Sequence, residues 1–186
     1  MNRRSALLFL TCVLPLGACV QPTLYTGPLD RQPDGPYILA SGDRLRIIVF
    51  GQDTLSNIYQ VDASGRITMP LIGAVSVGGL STAAAGGAIE AKLKAGYIRE
   101  PKVTVEVDTY RPFFILGEVT TSGQFPYVNG MTVQTAVAIA GGFTPRAQRS
   151  YAEVTRRTAR GNQTAEVPIN YAVRPGDTIV IKERWF

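Results

Sequence analysis

The sequence contains no histidine and only two cysteines among its 186 residues. The absence of histidine excludes the Ser-His and Cys-His pairs that many hydrolases use, and it removes the commonest protein ligand of metal ions. An enzyme could still use paired carboxylates or a lysine. We therefore expect a non-enzyme with no catalytic residue, no metal and no cofactor.

Long apolar runs are also scarce. The longest, residues 6–16, follows the basic pair Arg3 and Arg4 and is too short to cross a bilayer, which takes roughly 20 apolar residues. A basic head, a short apolar core and small residues before a cleavage point are typical of a secretory signal peptide. We assign this role to residues 1–18.

The residues at the end of this segment, Leu16-Gly17-Ala18-Cys19, resemble a bacterial lipobox. The resemblance implies that Cys19 is acylated and becomes the mature N-terminus; the alternative is an ordinary signal peptide with a chance cysteine. Val20 stands where an aspartate would retain an enteric lipoprotein in the inner membrane. The expected location is therefore the outer membrane, lipid-anchored on its periplasmic side.

The chain carries only a small net charge. The net charge is +5, and loss of Arg3 and Arg4 with the signal peptide leaves 17 basic and 14 acidic residues. Basic residues are spread along the chain apart from residues 146–160, whereas a nucleic-acid-binding protein carries a dense basic stripe. We expect no nucleic-acid partner.

The mature chain divides into a linker and two small modules. Residues 19–36 form a proline-rich, lipidated linker, which would act as a semi-rigid spacer. Residues 37–110 form the first module, with strands expected at 45–50, 66–69, 74–77 and 103–110. A helix capped by Ser81 or Thr82 ends at Gly96. Two glycines in that helix, Gly86 and Gly87, would be explained by a close backbone contact.

Residues 111–186 form the second module. Their pattern is β-β-α-β-β-β, with expected strands at 113–119, 123–128, 151–157, 163–169 and 178–184. Thr132 caps the short helix, and two glycines end it. This order suits a β-grasp fold, so the fold class is α+β, a small α+β module followed by a β-grasp module.

Several stretches resemble the Wza-type polysaccharide biosynthesis/export family of outer-membrane lipoproteins. The first module matches its export domain in "YILASGDRLRIIVFG", "VDASGRITMPLIGAVSVGGLS" and "YIREPKVTVEV". The second matches its soluble-ligand-binding β-grasp (SLBB) domain in "FFILGEVTTSGQFPYVNGMTVQTAVAIAGGFTPRA" and "RPGDTIVIKER". The resemblance covers residues 37–184.

The resemblance implies a homo-oligomeric ring that passes capsular polysaccharide or exopolysaccharide and works with an inner-membrane polysaccharide co-polymerase. Longer family members end in an amphipathic helix that builds the outer-membrane pore. Because no such helix follows here, we expect a separate outer-membrane barrel protein to supply the pore, with this chain as adaptor or gate.

Gly-Asp occurs before a strand in both modules, as Gly42-Asp43 and Gly176-Asp177. The aspartates could form a cation site or an acid/base pair. The alternative, which we favour, is structural: the glycine supplies a positive φ and the aspartate accepts hydrogen bonds from the turn.

Two further groups of residues could touch the polymer or a partner protein. The arginines Arg146, Arg149, Arg156 and Arg157, with Arg160, could meet acidic groups, or form a solvated hairpin face. The aromatic residues Tyr110, Phe113, Tyr127 and Tyr151 could stack on sugar rings, although core or interface packing is favoured.

Two other functions stay open from the sequence. One is a lipoprotein that uses the β-grasp module to bind a small molecule or a cell-wall fragment. The other is a glycan hydrolase, which would need two convergent carboxylates about 5 to 9.5 Å apart. The lack of a dense acidic cluster argues against the hydrolase.

Overall fold

The computed structural model describes residues 36–158 and 161–184. The expected signal peptide, Cys19 and nearly all of the linker lie outside the described residues, as does Arg160. The described part contains two separate clusters of buried apolar side chains, one for each module. Neither helix in this part is long and apolar enough to cross a membrane.

The first module combines a three-stranded sheet, a two-stranded hairpin and one helix. Its elements are β1 Arg44–Val49, β2 Asn57–Gln60, β3 Arg66–Met69, β4 Gly73–Ser76, α1 Thr82–Lys94 and β5 Val103–Thr109. The sheet has the order β2-β1-β5 and is antiparallel, while β3 pairs only with β4. Burial alternates along β1, so one face of this sheet packs on the core and the other faces solvent.

Helix α1 packs closely on β5. Its N-cap is Ser81, whose hydroxyl accepts a hydrogen bond from the Ala84 N–H at 3.2 Å. A Cβ placed on Gly86 would lie 3.3 Å from the carbonyl oxygen of Val103, whereas one on Gly87 would meet nothing within 4 Å. The expected close backbone contact is therefore confirmed for Gly86 and wrong for Gly87.

The second module is a five-stranded mixed sheet with one helix packed on it. Its elements are β6 Phe113–Gly117, β7 Gly123–Phe125, α2 Val133–Ile139, β8 Tyr151–Thr158, β9 Gly161–Pro168 and β10 Thr178–Ile181. The order is β7-β6-β10-β8-β9, and β10 is parallel to β6 and antiparallel to β8. Thr132 caps α2 as expected. The α+β class and the β-grasp-like second module are confirmed.

The observed strands differ from the expected ones in several places. Strand β2 was not predicted, because it is a short edge strand with no fully buried side chain and therefore no clear alternation. Strands β6, β7 and β10 end earlier than expected, at Gly117, Phe125 and Ile181. Only Tyr110, Arg111 and Pro112 lie between β5 and β6, so the two modules adjoin without a spacer.

Candidate functional site: an arginine-lined cleft between the modules

The two Gly-Asp pairs form the same turn. Gly42 and Gly176 have φ values of +95° and +84°. Each following aspartate accepts a hydrogen bond through its carboxylate from the backbone N–H three residues earlier, at 2.8 Å in both turns. Each aspartate N–H also donates back to the carbonyl oxygen of that same earlier residue. The glycines supply a backbone conformation that other residues rarely adopt, and the carboxylates close the turns.

Asp43 connects its turn to the junction between the modules. Its side chain is fully buried. Oδ2 accepts hydrogen bonds from the Ala40 N–H and the Tyr37 hydroxyl, both at 2.8 Å, and Oδ1 accepts one from the Arg111 N–H at 3.1 Å. Arg111 Nη1 also lies 3.5 Å from Oδ2. This carboxylate is therefore held by three hydrogen-bond donors and a nearby positive charge.

Asp177 binds a different arginine. Arg156 Nε donates to Oδ1 at 2.9 Å and Arg156 Nη2 donates to Oδ2 at 2.7 Å, and both side chains are almost fully buried. Burial acts to lower the pKa of Arg156, but the hydrogen bonds and the negative charge of Asp177 outweigh it and raise that pKa. The guanidinium is also 5.6 Å from the centre of the Tyr171 ring. Arg156 is thus a permanently charged, fixed group.

Arg111 lies between the two turns. Its Nε donates to the carbonyl oxygen of Pro175 at 3.0 Å, and its Nη1 donates to the Tyr37 hydroxyl at 3.1 Å. A Cβ on Gly42 would lie 3.5 Å from the Arg111 Cβ, and a Cβ on Gly176 would lie 2.8 Å from its Nε. Gly176 therefore leaves room for this side chain in addition to supplying its turn conformation, whereas a Cβ at Gly42 would make only an ordinary contact.

Three tyrosine rings form a cluster that contacts the Arg111 side chain through Tyr37. The rings of Tyr37 and Tyr110 meet edge to face with centroids 4.9 Å apart, and those of Tyr110 and Tyr127 do so at 5.4 Å. Burial raises the pKa of the Tyr37 hydroxyl well above its usual range, against the opposing effect of Arg111. The Tyr37 hydroxyl therefore stays protonated and remains a donor to Asp43.

An open cleft of about 580 Å³ lies at this junction. Both modules line it, through Ala40, Ser41, Ala63, Arg111, Arg156, Arg157, Arg174, Pro175, Gly176 and Asp177. Arg157 is exposed, while Arg174 and Arg111 are half-buried. Guanidinium groups bind carboxylates and phosphates with paired hydrogen bonds. Arg156 already binds a carboxylate in this way, through both oxygens of Asp177.

The arginines expected to contact polymer or partner are placed in two groups. Arg156 and Arg157 are neighbours on β8 and both line the cleft. Arg146 and Arg149 are exposed and are not among the lining residues. Arg146 Nε donates to Glu183 Oε1 at 2.7 Å, and this contact raises the pKa of Arg146.

Sequence reasoning missed two arginines of the cleft, Arg111 and Arg174. A usable signal existed for Arg111, because it is the charged residue in the three-residue link between the modules. Among the aromatic candidates, Phe113 is buried and stacks on Phe125, while Tyr151 is about half exposed.

Asp43 and Asp177 are separately held by arginines and backbone donors. Within residues 36–158 and 161–184, no group of three or more His, Cys, Asp or Glu side chains could hold a metal ion. The geometry fits turn formation at both aspartates, and at Asp43 it also fits joining of the modules through Arg111.

Comparisons with known proteins agree with this two-module organisation. The model of the polysaccharide biosynthesis/export protein family matches residues 31–108, and that of the SLBB domain matches residues 112–167. The chain is 32% identical to the exopolysaccharide production protein ExoF of Rhizobium meliloti (strain 1021) over 118 residues, which is 57% of this chain and 28% of the relative. It is 28% identical to the polysialic acid transport protein KpsD of Escherichia coli over 129 residues, which is 68% of this chain and 23% of the relative.

The chain spans about a quarter of the length of these curated relatives. The two family models occur in the order of the two modules, and they meet at the short link that contains Arg111. The chain belongs to the polysaccharide biosynthesis/export family, with an SLBB domain after its export domain.

Proposed function

We propose that this protein acts, without covalent chemistry of its own, in the export of capsular polysaccharide or exopolysaccharide. The observation that carries the proposal is the ordered match of an export domain and an SLBB domain to the two adjoining modules. Two relatives are named for exopolysaccharide production and for polysialic acid transport, and these names support the same class of cargo.

The proposed location is the periplasmic side of the outer membrane. Its support is the sequence pattern: a signal peptide at residues 1–18, a lipidated Cys19, and a spacer at residues 19–36. An export domain at residues 37–110 and an SLBB domain at residues 111–186 would then project into the periplasm. Three acyl groups on one cysteine would hold the protein firmly at the membrane, because each added acyl group strengthens membrane binding.

We further propose that copies of this chain associate into a ring that serves as a conduit or adaptor. Exposed apolar side chains on both sheets support this: Ile48, Phe50 and Ile58 on the first, and Phe114 and Leu116 on the second. Apolar groups clustered on a surface commonly mark contact sites. The polysaccharide co-polymerase of the inner membrane and a separate outer-membrane pore protein remain predicted partners.

An enzymatic role finds little support at the cleft. Asp177 is the one carboxylate among the described residues that line it, and both of its oxygens accept hydrogen bonds from Arg156. A general acid or base needs a carboxyl that can exchange its proton with a substrate. We therefore propose a passive role, in which weak and numerous contacts let the polymer pass.

Deletion of the gene tests the proposal directly. We expect loss of surface or secreted polysaccharide, which the wild-type gene restores and which Cys19→Ser restores only weakly. Labelling with radioactive palmitate should mark the wild-type protein and not the variant. Unchanged polysaccharide in the deletion strain would contradict the function, and equal labelling of both proteins would contradict lipidation at Cys19.

A second candidate is a ligand-binding lipoprotein, which the cleft itself favours. A volume of about 580 Å³ lies within the range of small-molecule sites. Stoichiometric binding of a small molecule or cell-wall fragment by a monomer, with normal polysaccharide in the deletion strain, would favour this alternative.

A further inference from the structure

Strand β9 forms one edge of the five-stranded sheet. It is the last strand in the order β7-β6-β10-β8-β9, and it pairs with β8 over eight residues without a shift in register. A long, regular edge strand presents N–H and C=O groups to which another strand can bind. Natural proteins protect such edges by shortening them, by proline or a bulge, or by covering them.

The other edges of the three-stranded and five-stranded sheets carry such protection. Strand β7 has only three residues and is followed by Pro126, which has no N–H. Strand β2 has four residues, and its Ile58 N–H donates to the Asn57 side chain at 2.7 Å. In β5 the Val103 N–H donates to Glu90 of helix α1 at 2.8 Å, and the pairing with β1 has a shift in register. Strand β9 has its proline only at its last residue.

Alternate residues of β9 direct their backbone groups away from β8. Just past the end of β9, the Ile169 N–H donates to the carbonyl oxygen of Ser150 at 3.2 Å. In an antiparallel pair, residues that bond across in this way alternate with residues whose N–H and C=O point outward. Counting back from Ile169, the first outward residue is the terminal proline, which has no N–H. The residues with both an outward N–H and an outward C=O are therefore Asn162, Thr164 and Glu166.

These outward groups match those of a second β9 strand that runs in the opposite direction. If Thr164 lies opposite Thr164 of the other copy, then Asn162 of each copy lies opposite Glu166 of the other. Three residues on each strand then exchange six backbone hydrogen bonds. Threonine pairs across strands are favourable. The two Glu166 residues lie four positions apart along the strands, at about 13 Å, and do not oppose each other.

The solvent face of the sheet adds charge complementarity to this register. Arg157 lies opposite Asn162 on β8, and both side chains are exposed, as is Glu166. In the paired copies, Glu166 of one copy lies in the same row as Arg157 of the other, two strands away. The backbones are then about 10 Å apart, which two long side chains can bridge. Symmetry brings these opposite charges together twice.

We propose that β9 pairs with β9 of a second copy of this chain, so that two five-stranded sheets join into one sheet of ten strands. This contact is two-fold symmetric and closes after two copies, whereas a ring needs a contact between two different surfaces. The pairing therefore goes beyond the proposed ring, because it joins a copy of one ring to a copy of another. Copies held on one membrane meet at a high effective concentration, which favours even a small contact.

Cysteine cross-linking in cell envelopes tests both the pairing and its register. The variants are Thr164→Cys, Asn162→Cys and Glu166→Cys. The matched control is Gln124→Cys, which places a cysteine at an exposed position on β7, the other edge of the same sheet. Envelopes are oxidised with copper phenanthroline, and linked chains are detected by immunoblot. The wild type controls for cross-links through Cys19.

We expect Thr164→Cys to give a disulfide-linked dimer, because residues opposite each other in a bonded antiparallel pair have Cα atoms about 5.5 Å apart, within disulfide range. Asn162→Cys alone and Glu166→Cys alone should give no dimer, since each cysteine lies about 13 Å from its counterpart. Co-expression of these two variants should restore the dimer. Gln124→Cys and the wild type should remain without a cross-link.

The mixed pair of Asn162→Cys and Glu166→Cys tests the contact independently of any effect of the Thr164→Cys substitution on folding. Equal cross-linking of Thr164→Cys and Gln124→Cys, or no cross-link in Thr164→Cys and in the mixed pair, would overturn the proposal. Dimers formed by Glu166→Cys alone would refute the register centred on Thr164. A cross-link from Thr164→Cys to a different protein would assign this edge to a strand of that protein and refute the pairing of copies.

Discussion

Arg111 and Pro175 join the two modules: the guanidinium Nε of Arg111 donates a hydrogen bond to the carbonyl oxygen of Pro175 at 3.0 Å. The same side chain lies 3.5 Å from the carboxylate of Asp43 in the other module. A single arginine in the three-residue link therefore contacts both Gly-Asp turns. This arrangement explains why the two turns face each other across the junction.

Replacing Arg111 should lower the stability of the whole chain. In Arg111→Gln the backbone N–H bond to Asp43 remains, but the buried carboxylate loses its positive partner and the bond to Pro175 is lost. We expect the free energy of unfolding to fall by about 2 kcal/mol, as measured by urea denaturation.

The control for this change is Arg46→Gln. Arg46 forms an ion pair with Asp108 at 3.1 Å, with 55% of the arginine side chain exposed. An exposed pair of this kind contributes about 0 to 1 kcal/mol. If both variants lost equally little stability, the junction role of Arg111 would be refuted.

The substitution Gly176→Ala should lower the free energy of unfolding more than Gly42→Ala does. Both positions have positive φ, which costs an L-residue about 1 to 2 kcal/mol. At Gly176 the new Cβ would lie 2.8 Å from Arg111 Nε, so the Arg111 side chain would have to move away from the Pro175 carbonyl. Loss of that hydrogen bond should lower the free energy of unfolding by about 1 kcal/mol more. At Gly42 the nearest atom is at an ordinary 3.5 Å.

Gly130→Ala isolates the cost of the backbone conformation. Gly130 has φ +79° and no atom within 4 Å of an added Cβ. Urea denaturation should rank Gly176→Ala as more damaging than Gly42→Ala and Gly130→Ala, which should be similar. In an Arg111→Gln background the additional loss at Gly176 should disappear. Persistence of that loss would show that Arg111 is not its cause.

Local patterns are sufficient to predict most of the individual elements. Alternation places Leu45 and Ile47 on one face of β1, and side-chain caps at Ser81 and Thr132 mark the starts of both helices. These signals involve residues that are only a few positions apart, so they can be recognised directly in the sequence. Strand β2 lacks such a signal because its side chains are largely exposed.

The junction could not be predicted in the same way. Asp43 lies 68 positions before Arg111 in the sequence and Pro175 lies 64 positions after it. Only the folded modules bring these three residues together. The burial of Arg156 is easier to predict, because its own strand carries the signal. The alternation of a strand places it with Ala152 and Val154 on the core side of β8, and its neighbour Arg157 on the solvent side. The buried role of Arg156 was therefore predictable, but its partner Asp177 was not.

Tyr37 should make the stability of the chain depend on pH in alkaline solution. Burial raises the pKa of its hydroxyl above the ordinary value near 10. The folded protein keeps this proton at pH values where the unfolded chain has lost it. The stabilisation by Tyr37 is therefore complete below about pH 10 and declines as the pH rises further.

The variant Tyr37→Phe removes this titration and the hydrogen bond to Asp43. Near pH 8 we expect it to be about 1 kcal/mol less stable than the wild type. Because the other titrating groups are common to both proteins, the difference in their free energies of unfolding should shrink between about pH 10 and pH 11. A difference that stays constant over this range would contradict the assignment.

Phe50 should contribute to the association of copies of this chain. It is 83% exposed and lies at the end of β1, beside the exposed Ile48. Burying a phenylalanine side chain at a contact contributes about 1.5 to 3 kcal/mol, so Phe50→Ser should raise the dissociation constant of the oligomer at least about tenfold. Sedimentation velocity in detergent measures the resulting shift toward smaller species.

Two controls separate association from folding in this experiment. Tyr97→Ser removes another exposed aromatic side chain, 55% exposed, from the turn after α1 rather than from the sheet face. It should leave the oligomer unchanged. Because Phe50 is so exposed within one copy, its loss should change the stability of the isolated chain by less than about 0.5 kcal/mol. Smaller species with unchanged unfolding therefore indicate a lost contact between copies, whereas an oligomer unaffected by Phe50→Ser would exclude this sheet face from the interface.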